Sequence, residues 1–79
     1  MYVYILRSKK YQNKDYIGIT KNLKERLTIH NSGKMPHTSK YIPWRIEVAI
    51  WFRNKEKAFA FEKYLKHGSG KAFTKKHFL

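Results

Sequence analysis

Residues 15–26, with the sequence DYIGITKNLKER, constrain the fold more than any other stretch of the chain. The first half, Asp15–Thr20, places its isoleucines on one face and a tyrosine and a glycine on the other, which predicts a β-strand. Asn22 follows as a helix N-cap, and Glu25 three residues later completes a capping box. The chain is therefore predicted to pass from a strand into a helix with almost no connecting loop.

The other segments complete an α+β pattern. Tyr2–Arg7 alternates as a strand, and the short polar connection over residues 8–14 favours an antiparallel hairpin with the strand at 15–20. The remaining predicted features, in chain order, are the end of the first helix at Asn31 or Gly33, a loop from Gly33 to Trp44, a third strand on which Ile46, Val48, Ile50 and Phe52 alternate, a second helix from Asn54 to Gly68, and a short basic helix within Ser69–Leu79. The order ββαβαα predicts one domain over residues 1–79, with a three-stranded, mainly antiparallel sheet flanked by helices.

The charge of the chain indicates a polyanionic partner. The sequence has 18 Lys and Arg residues against 5 Asp and Glu residues, which gives a formal net charge of +13. Such an excess attracts the phosphates of nucleic acid. Nucleic acid is therefore the first expected partner, and an anionic membrane surface is the second.

Several classes of protein are excluded or disfavoured by composition. The chain has no cysteine, so disulfides and thiolate metal sites are excluded. The longest apolar run, residues 48–52, is too short to span a bilayer, and no segment joins a basic face to a broad apolar one. The first residues lack a signal-peptide pattern. These observations predict a cytoplasmic protein that does not bind membranes.

Two basic side chains share the apolar face of the first predicted helix. At 100° per residue, Leu23, Arg26, Leu27 and His30 all fall within an arc of about 100°. Because the leucines have to face the sheet, Arg26 and His30 are expected to face it as well or to lie along its edge. An arginine in that position either extends to solvent or contacts an anion.

Glu62 is the one acid without an obvious structural role. It shares a helix face with Ala58, Phe61 and Leu65, whereas the other acids lie at a strand start, near helix starts or next to an arginine. One interpretation is an ion pair with Arg26 or a lysine. The alternative is a ligand for Mg²⁺, with phosphate oxygens supplying further ligands, so that metal and nucleic acid bind together.

Two tyrosines are expected on one face of the hairpin. Tyr4 and Tyr16 each lie between apolar residues of opposite phase, so paired strands can place both phenols on the face away from Val3 and Ile5. Packing also explains a tyrosine in a strand. Gly18 weakens its strand and indicates the close approach of a ligand or another backbone, a bulge, or tight packing against the first helix.

The ordered motifs of the chain resemble the GIY-YIG nuclease superfamily. Residues 16–18, Tyr-Ile-Gly, correspond to the second signature triplet, and residues 2–4, Tyr-Val-Tyr, stand where the first triplet belongs. The run 16–26 has the spacing of the N-terminal nuclease domain of the excision-repair protein UvrC and of intron homing endonucleases. Residues 61–73 are similar to the ending of small stand-alone bacterial members. The resemblance covers nearly the whole chain and implies a ββαβα core.

The resemblance also implies roles for five side chains. Tyr4 matches the phenol that takes a proton from the attacking water, and Tyr16 matches the group that orients the water or the scissile phosphate. Arg26 matches the arginine that stabilises the phosphoryl transition state, and His30 one turn later matches a histidine that could relay the proton. Glu62 matches the single metal-binding glutamate, so one divalent ion, Mg²⁺ or Mn²⁺, is the expected cofactor.

A free phenol, with a pKa near 10, is a poor base at neutral pH. The field of Arg26, nearby lysines and a metal is expected to lower the pKa of the catalytic phenol, which would make it a better base.

The expected function is hydrolysis of DNA phosphodiester bonds by a metal-dependent endonuclease, directed to damaged or branched structures. One alternative is a non-catalytic basic module that binds DNA or RNA and needs a partner for activity. Another is an RNA- or ribosome-associated protein whose polar core residues are purely structural. A partner protein that supplies targeting is compatible with the first two. The residues expected to contact nucleic acid are Lys21, Lys24, His37, Lys40 and Lys71.

Overall fold

A computed structural model describes all residues from Met1 to Leu79. Its elements, in chain order, are β1 (Tyr2–Ser8), β2 (Asp15–Thr20), α1 (Leu23–Asn31), a 3₁₀ turn (Ser39–Tyr41), β3 (Trp44–Trp51), α2 (Lys55–Leu65) and α3 (Gly68–His77). The predicted α+β order ββαβαα is confirmed. None of the helices has the length and the apolar composition that crossing a bilayer requires.

The three strands form one antiparallel sheet with β1 in the centre, in the order β2-β1-β3. In the hairpin Tyr4 lies opposite Gly18, and Leu6 lies opposite Tyr16. Directly paired residues of an antiparallel sheet project from the same face. The two phenols therefore share one face, as the alternation of the strands predicts.

The third strand departs from the predicted alternation. The pairing of β1 with β3 shifts register between Ile5 and Leu6, whose partners are Val48 and Ile46. This shift leaves Glu47 as the extra residue of a β-bulge. Ile46 packs with the cluster that contains Leu6, whereas Val48 packs with Ile5 on the other face. The expectation that Ile46 and Val48 share one face is wrong because the bulge reverses the alternation between them.

Different helices cover the two faces of the sheet. α2 and α3 cover the face of Val3 and Ile5, where Ala58 and Leu65 are completely buried. α1 lies on the opposite face. There, the residues that pack together include Tyr4, Leu6 and Trp44 of the sheet and Leu23 and Leu27 of α1.

The entry into α1 differs from the predicted capping box. Asn22 Oδ1 accepts a hydrogen bond from the backbone N–H of Glu25 at 3.0 Å, as predicted. The reciprocal bond is made by Thr20, whose hydroxyl accepts from the N–H of Asn22 at 3.2 Å. Thr20, two residues upstream of the N-cap, therefore accepts the hydrogen bond that the capping box assigns to the Glu25 side chain. Glu25 itself stays exposed.

The helix ends also refine the predictions. α1 ends at Asn31, one of the two predicted ends, and Gly33 follows with a φ of 79°. α2 ends at Leu65 instead of continuing to Gly68. Gly68 begins α3, so the two predicted helices meet with almost no turn between them.

Candidate active site

Tyr4 is the centre of a buried polar chain between the sheet and α1. The residue is 3% exposed, and its hydroxyl lies 3.0 Å from Nε2 of His30. His30 is completely buried, since it lies on the face of α1 that packs against the sheet. The phenol and the imidazole thus share a hydrogen bond that is shielded from bulk water.

Gly18 provides the space that the Tyr4 ring occupies. The two residues lie opposite each other in the hairpin, and the hydroxyl end of the Tyr4 ring lies over the backbone of β2. A Cβ atom at position 18 would collide with that end of the ring. The close approach expected at Gly18 is therefore made by a side chain of the candidate site, and not by a ligand, a second backbone or α1.

The polar chain continues from His30 into the loop before β3. Nδ1 of His30 lies 3.1 Å from the hydroxyl of Thr38, which is 1% exposed. The carbonyl oxygen of Thr38 accepts a hydrogen bond from the indole N–H of Trp44 at 2.9 Å. Two further bonds join the side chain of Asn31 to the backbone of Trp44. Thr38 and Trp44 thereby fix the position of the imidazole.

Neither Thr38 nor Trp44 was singled out from the sequence as part of the site. A threonine in a polar loop is typical of loops in general, because its hydroxyl often bonds to nearby backbone. The only available signal was the position of the loop, which follows the helix that carries His30.

Tyr16 completes an aromatic group around His30. Its ring centroid lies 4.7 Å from that of His30 and 6.3 Å from that of Tyr4. Tyr16 is only half-buried, so unlike Tyr4 it keeps access to solvent. The predicted pair of phenols is therefore an inner phenol bonded to histidine and an outer phenol at the surface.

Burial dominates the protonation of the inner phenol. It raises the pKa of Tyr4 well above the ordinary value of 10.0, and Tyr16 adds a smaller raising effect. Arg26 acts in the opposite direction. The positive charge of Arg26 thus acts in the expected direction, but the pKa of Tyr4 rises overall because desolvation of a phenolate outweighs the attraction of the guanidinium.

Burial also keeps the imidazole neutral. It lowers the pKa of His30 below the ordinary value of 6.5, and Arg26 lowers it further. Arg26 thus acts on both Tyr4 and His30, and Glu62 contributes to the raised pKa of Tyr4. Tyr16 and His30 thus pack around Tyr4, and the charges of Arg26 and Glu62 both influence its protonation.

Glu62 makes an ion pair within its own helix. Its side chain is 16% exposed, and Oε2 lies 2.6 Å from Nζ of Lys66, one turn later on α2. The structure thus contains the lysine ion pair that was one of the two interpretations, and it does not pair Glu62 with Arg26. Lys66 is 45% exposed. Because solvent reaches the ammonium end of the pair and screens the attraction, another cation can displace the lysine.

A divalent ion fits this site as a weakly bound partner. No group of three or more His, Asp or Glu side chains converges anywhere in the molecule. Glu62 offers the hard oxygen atoms that Mg²⁺ and Mn²⁺ prefer, and its present partner is exposed. The donor set fits an ion that takes its other ligands from water and phosphate.

The residues expected to contact nucleic acid occupy two sides of the molecule. Lys21 and Lys24 are exposed at the start of α1, and His37 and Lys40 are exposed in the loop before β3. Both segments adjoin α1, on the Tyr4 side of the sheet. Lys71 lies on α3 beside a separate cavity of about 480 Å³, and the structure does not bring it to Tyr4.

Comparison with known proteins gives a family match along almost the entire chain. The family model described as GIY-YIG catalytic domain matches residues 1–76. A UPF0213 protein from Streptococcus pneumoniae serotype 4 is 40% identical over 67 residues, which are 84% of this chain and 64% of the relative. A UPF0213 protein from strain R6 of the same species is 39% identical over 67 residues, with the same coverage. The matched region thus spans just under two thirds of these relatives. No solved structure matches the chain.

Proposed function

The chain belongs to the GIY-YIG family, and from this we propose that it is a metal-dependent endonuclease that hydrolyses DNA phosphodiester bonds. Branched or damaged DNA is the proposed substrate within that class. The observation that carries the proposal is the buried hydrogen bond between the Tyr4 hydroxyl and Nε2 of His30. A buried phenol needs a hydrogen-bond partner in any case, but an imidazole is a partner that can also accept and return a proton.

The proposed reaction begins with proton transfer from the attacking water. Because burial keeps Tyr4 protonated, a free phenolate is not the resting base. The Tyr4 oxygen accepts a proton from water while its own proton passes to Nε2 of His30 over the 3.0 Å contact. This requires the tautomer in which Nδ1 of His30 carries a proton and donates it to Thr38 Oγ1 at 3.1 Å.

The hydroxide so formed attacks phosphorus, and the bond to the leaving oxygen breaks. The leaving alkoxide takes a proton from solvent, and the imidazolium on His30 returns its proton to Tyr4 while Tyr4 releases one to solvent, which restores the resting state. The pentavalent transition state gathers negative charge on the non-bridging oxygens. Arg26 is the guanidinium that acts on Tyr4 and His30, and we assign it to those oxygens. Tyr16, at the surface of the same aromatic group, orients the water or the phosphate.

Glu62 is the residue that would hold the divalent ion, Mg²⁺ or Mn²⁺, after Lys66 releases the carboxylate. A bound ion supplies Lewis-acid stabilisation of the charge that develops on phosphate oxygens. The net charge of +13 repels free cations, and the phosphates of DNA relieve that repulsion. We therefore expect the metal and the DNA to bind together.

The ion pair between Glu62 and Lys66 also favours a second candidate function. With its carboxylate already neutralised, the domain could bind DNA or RNA through its positive charge alone and leave catalysis to a partner. This module would bind nucleic acid with the same steep salt dependence, so binding measurements do not separate it from the nuclease.

A cleavage assay separates the two functions. End-labelled single-stranded, duplex and branched DNA are each incubated with the protein in Mg²⁺, Mn²⁺ or chelator. The nuclease proposal expects cleavage only with metal, and it expects Arg26→Ala to lower the single-turnover rate about 100-fold or more. The matched control is Arg45→Ala, since Arg45 is occupied by Glu47 at 3.2 Å. Binding of every substrate without cleavage in either metal would support the non-catalytic module.

A further inference from the structure

α1 crosses its face of the sheet diagonally and leaves the corner at the Trp51 end of β3 uncovered. The helix begins just after Thr20, which lies in the same row as Tyr2 and Trp51. It ends at Asn31, whose side chain bonds to the backbone of Trp44 at the opposite end of β3. A helix between these two positions covers the Trp44 end of β3, and it does not cover the Trp51 end.

The exposure of β3 agrees with this path. Trp44 is 3% exposed beneath the helix and its following loop, whereas Trp51 is 59% exposed and is the most exposed large apolar side chain of the molecule. Ala49 between them is also exposed. Ala49 lies opposite Tyr4, and Trp51 lies opposite Tyr2, so these side chains share the face of the candidate active site. We call Tyr2, Ala49 and Trp51 the open corner.

Basic residues border the open corner. Lys21 directly follows β2 and Arg53 lies two residues beyond β3, at the same end of the sheet, and both are exposed. An exposed indole beside a phenol, flanked by positive charge, has the chemistry of a surface on which nucleobases stack while their phosphates meet cations. A second copy of this chain would bring a like charge of +13 to the same place, so charge complementarity favours a polyanion.

The open corner adjoins the candidate active site at the spacing of one nucleotide. Tyr2 precedes Tyr4 by two residues on β1, which is about 7 Å along a strand. A phosphate at Tyr4 and Arg26 therefore places the neighbouring nucleotide over Tyr2 and Trp51. This argument rests on the proposed function for the position of the phosphate, whereas the exposure of Trp51 does not depend on it.

We propose that Trp51, together with Tyr2, stacks against an unpaired base next to the scissile phosphate, so that the enzyme acts on DNA with a single-stranded segment at the cleavage site. Bases in a duplex stack on one another and have to be displaced before an indole can contact them. An unpaired base can contact the indole without the free-energy cost of leaving a duplex. The open corner thus selects single strands, flaps and damaged positions over intact duplex.

The test uses the full chain in chelator, so that binding is measured without cleavage. The probes are a labelled oligothymidylate and a hairpin duplex with the same number of phosphates. Trp51→Ala is expected to weaken oligothymidylate binding about tenfold and to change duplex binding little. Trp51→Phe keeps an aromatic ring and is expected to retain most of the affinity. The matched control is Phe59→Ala, because Phe59 is 47% exposed but lies on α2, behind the sheet.

Tryptophan fluorescence provides an independent readout. The chain has two tryptophans, and only Trp51 is exposed. Oligothymidylate should quench the emission of the wild type strongly and that of Trp51→Phe only weakly, since Trp44 is buried. Unchanged affinity of Trp51→Ala for oligothymidylate, or an equal loss for both probes, would overturn the proposal.

One further result would separate base stacking from self-association, and another would separate the stacking site from the nuclease proposal on which it rests. If the wild type sediments as a dimer that Trp51→Ala converts to a monomer, and oligothymidylate does not quench Trp51, the corner is a self-interface and the proposal is wrong. If no DNA is cleaved in Mg²⁺ or Mn²⁺ but Trp51 still distinguishes the two probes, the nuclease assignment fails while the stacking site stands.

Discussion

The two faces of the sheet are built from alternate residues of the same central strand, yet they differ in kind. Behind β1, Val3 and Ile5 meet the completely buried Ala58 and Leu65 in an apolar cluster. In front of β1, the next residue along, Tyr4, contacts a buried histidine through its hydroxyl. The front face therefore combines apolar packing at one end, a polar chain in the middle and exposed aromatic rings at the other end.

This difference separates stability from chemistry within a small chain. The rear face contributes mainly by removing apolar area from water. The front face keeps a phenol, an imidazole and a threonine hydroxyl out of water. Burying each of these groups costs desolvation free energy, which their hydrogen bonds offset without adding much net stability. Changes to the buried apolar residues behind the sheet should mainly affect the free energy of unfolding, and changes to the polar chain in front should mainly affect the cleavage rate.

Leu65→Ala tests the rear face. Leu65 is completely buried, so the variant should lose about 2–5 kcal/mol of the free energy of unfolding through lost burial and a cavity. Urea denaturation measures this loss. The cleavage rate per folded molecule should be unchanged, and Phe59→Ala on the same helix should alter stability by no more than about 0.5 kcal/mol because Phe59 is exposed. A Leu65→Ala variant that stays folded but cannot cut would contradict the division between the faces.

Gly18→Ala tests the contact between the hairpin strands on the front face. The added methyl group collides with the hydroxyl end of the Tyr4 ring, so the ring has to shift, which disturbs its hydrogen bond with His30. We expect a loss of about 1–3 kcal/mol in stability from overpacking, together with a fall in cleavage rate of about 100-fold, comparable to losing a catalytic proton-transfer group. Ala49→Ser, at the exposed neighbour of Tyr4 on β3, should leave stability unchanged. Wild-type rate in Gly18→Ala would show that the position of the Tyr4 ring is unimportant.

The pH dependence of folding tests the buried imidazole. His30 has a lowered pKa, so below about pH 6.5 the unfolded chain binds a proton that the folded protein still excludes. The free energy of unfolding should therefore fall as the pH drops through this window, by up to about 1.4 kcal/mol per pH unit for one proton. The free energy of unfolding should show no contribution from His30 to its pH dependence at neutral pH, where the imidazole is neutral in both states. Urea titrations of the wild type and His30→Gln from pH 5 to pH 8 measure the effect, and equal slopes in the two proteins would contradict it.

Lys66→Met tests how firmly the ion pair on α2 holds the Glu62 carboxylate. Removing the ammonium group frees Glu62 from the 2.6 Å ion pair. Since the pair is screened by solvent, Mn²⁺ affinity measured by electron paramagnetic resonance in the presence of a non-hydrolysable DNA analogue should rise only about two- to fivefold. Lys63→Met, an exposed lysine on the same helix, is the control for the loss of one positive charge. Equal gains in the two variants would mean that general charge, and not the ion pair, limits metal binding.

The sequence predicted the fold and the candidate residues where local pattern determines structure. Alternation in Tyr2–Arg7 and Asp15–Thr20 indicated the hairpin, and helical spacing predicted that Arg26 and His30 face the sheet or lie along its edge. His30 is the one that the structure buries completely. The structure has these elements with nearly the same bounds. Hydrophobic periodicity and helix-capping residues depend only on neighbours along the chain, so they can be recognised without knowing the tertiary contacts.

The features that the sequence did not predict depend on contacts between distant residues. The bulge at Glu47 follows from how β3 pairs with β1, and the contact of Thr38 with His30 follows from the path of a loop. The pKa of Tyr4 was expected to fall, but the depth of burial, which no single strand reveals, raises it. Gly18 signalled a close approach correctly, but the approaching group was visible only once the hairpin register was known.

The experiment that decides whether the candidate active site performs metal-dependent chemistry is a single-turnover cleavage assay of the wild type beside Glu62→Gln in Mg²⁺. The amide keeps the size of the side chain and removes the charge that a divalent ion needs. The account predicts that the wild type cuts DNA and that Glu62→Gln is slower by about 100-fold or more, with a melting temperature within a few degrees of the wild type. Cleavage by Glu62→Gln at the wild-type rate would show that the carboxylate has no part in the reaction, and the proposed mechanism would be wrong.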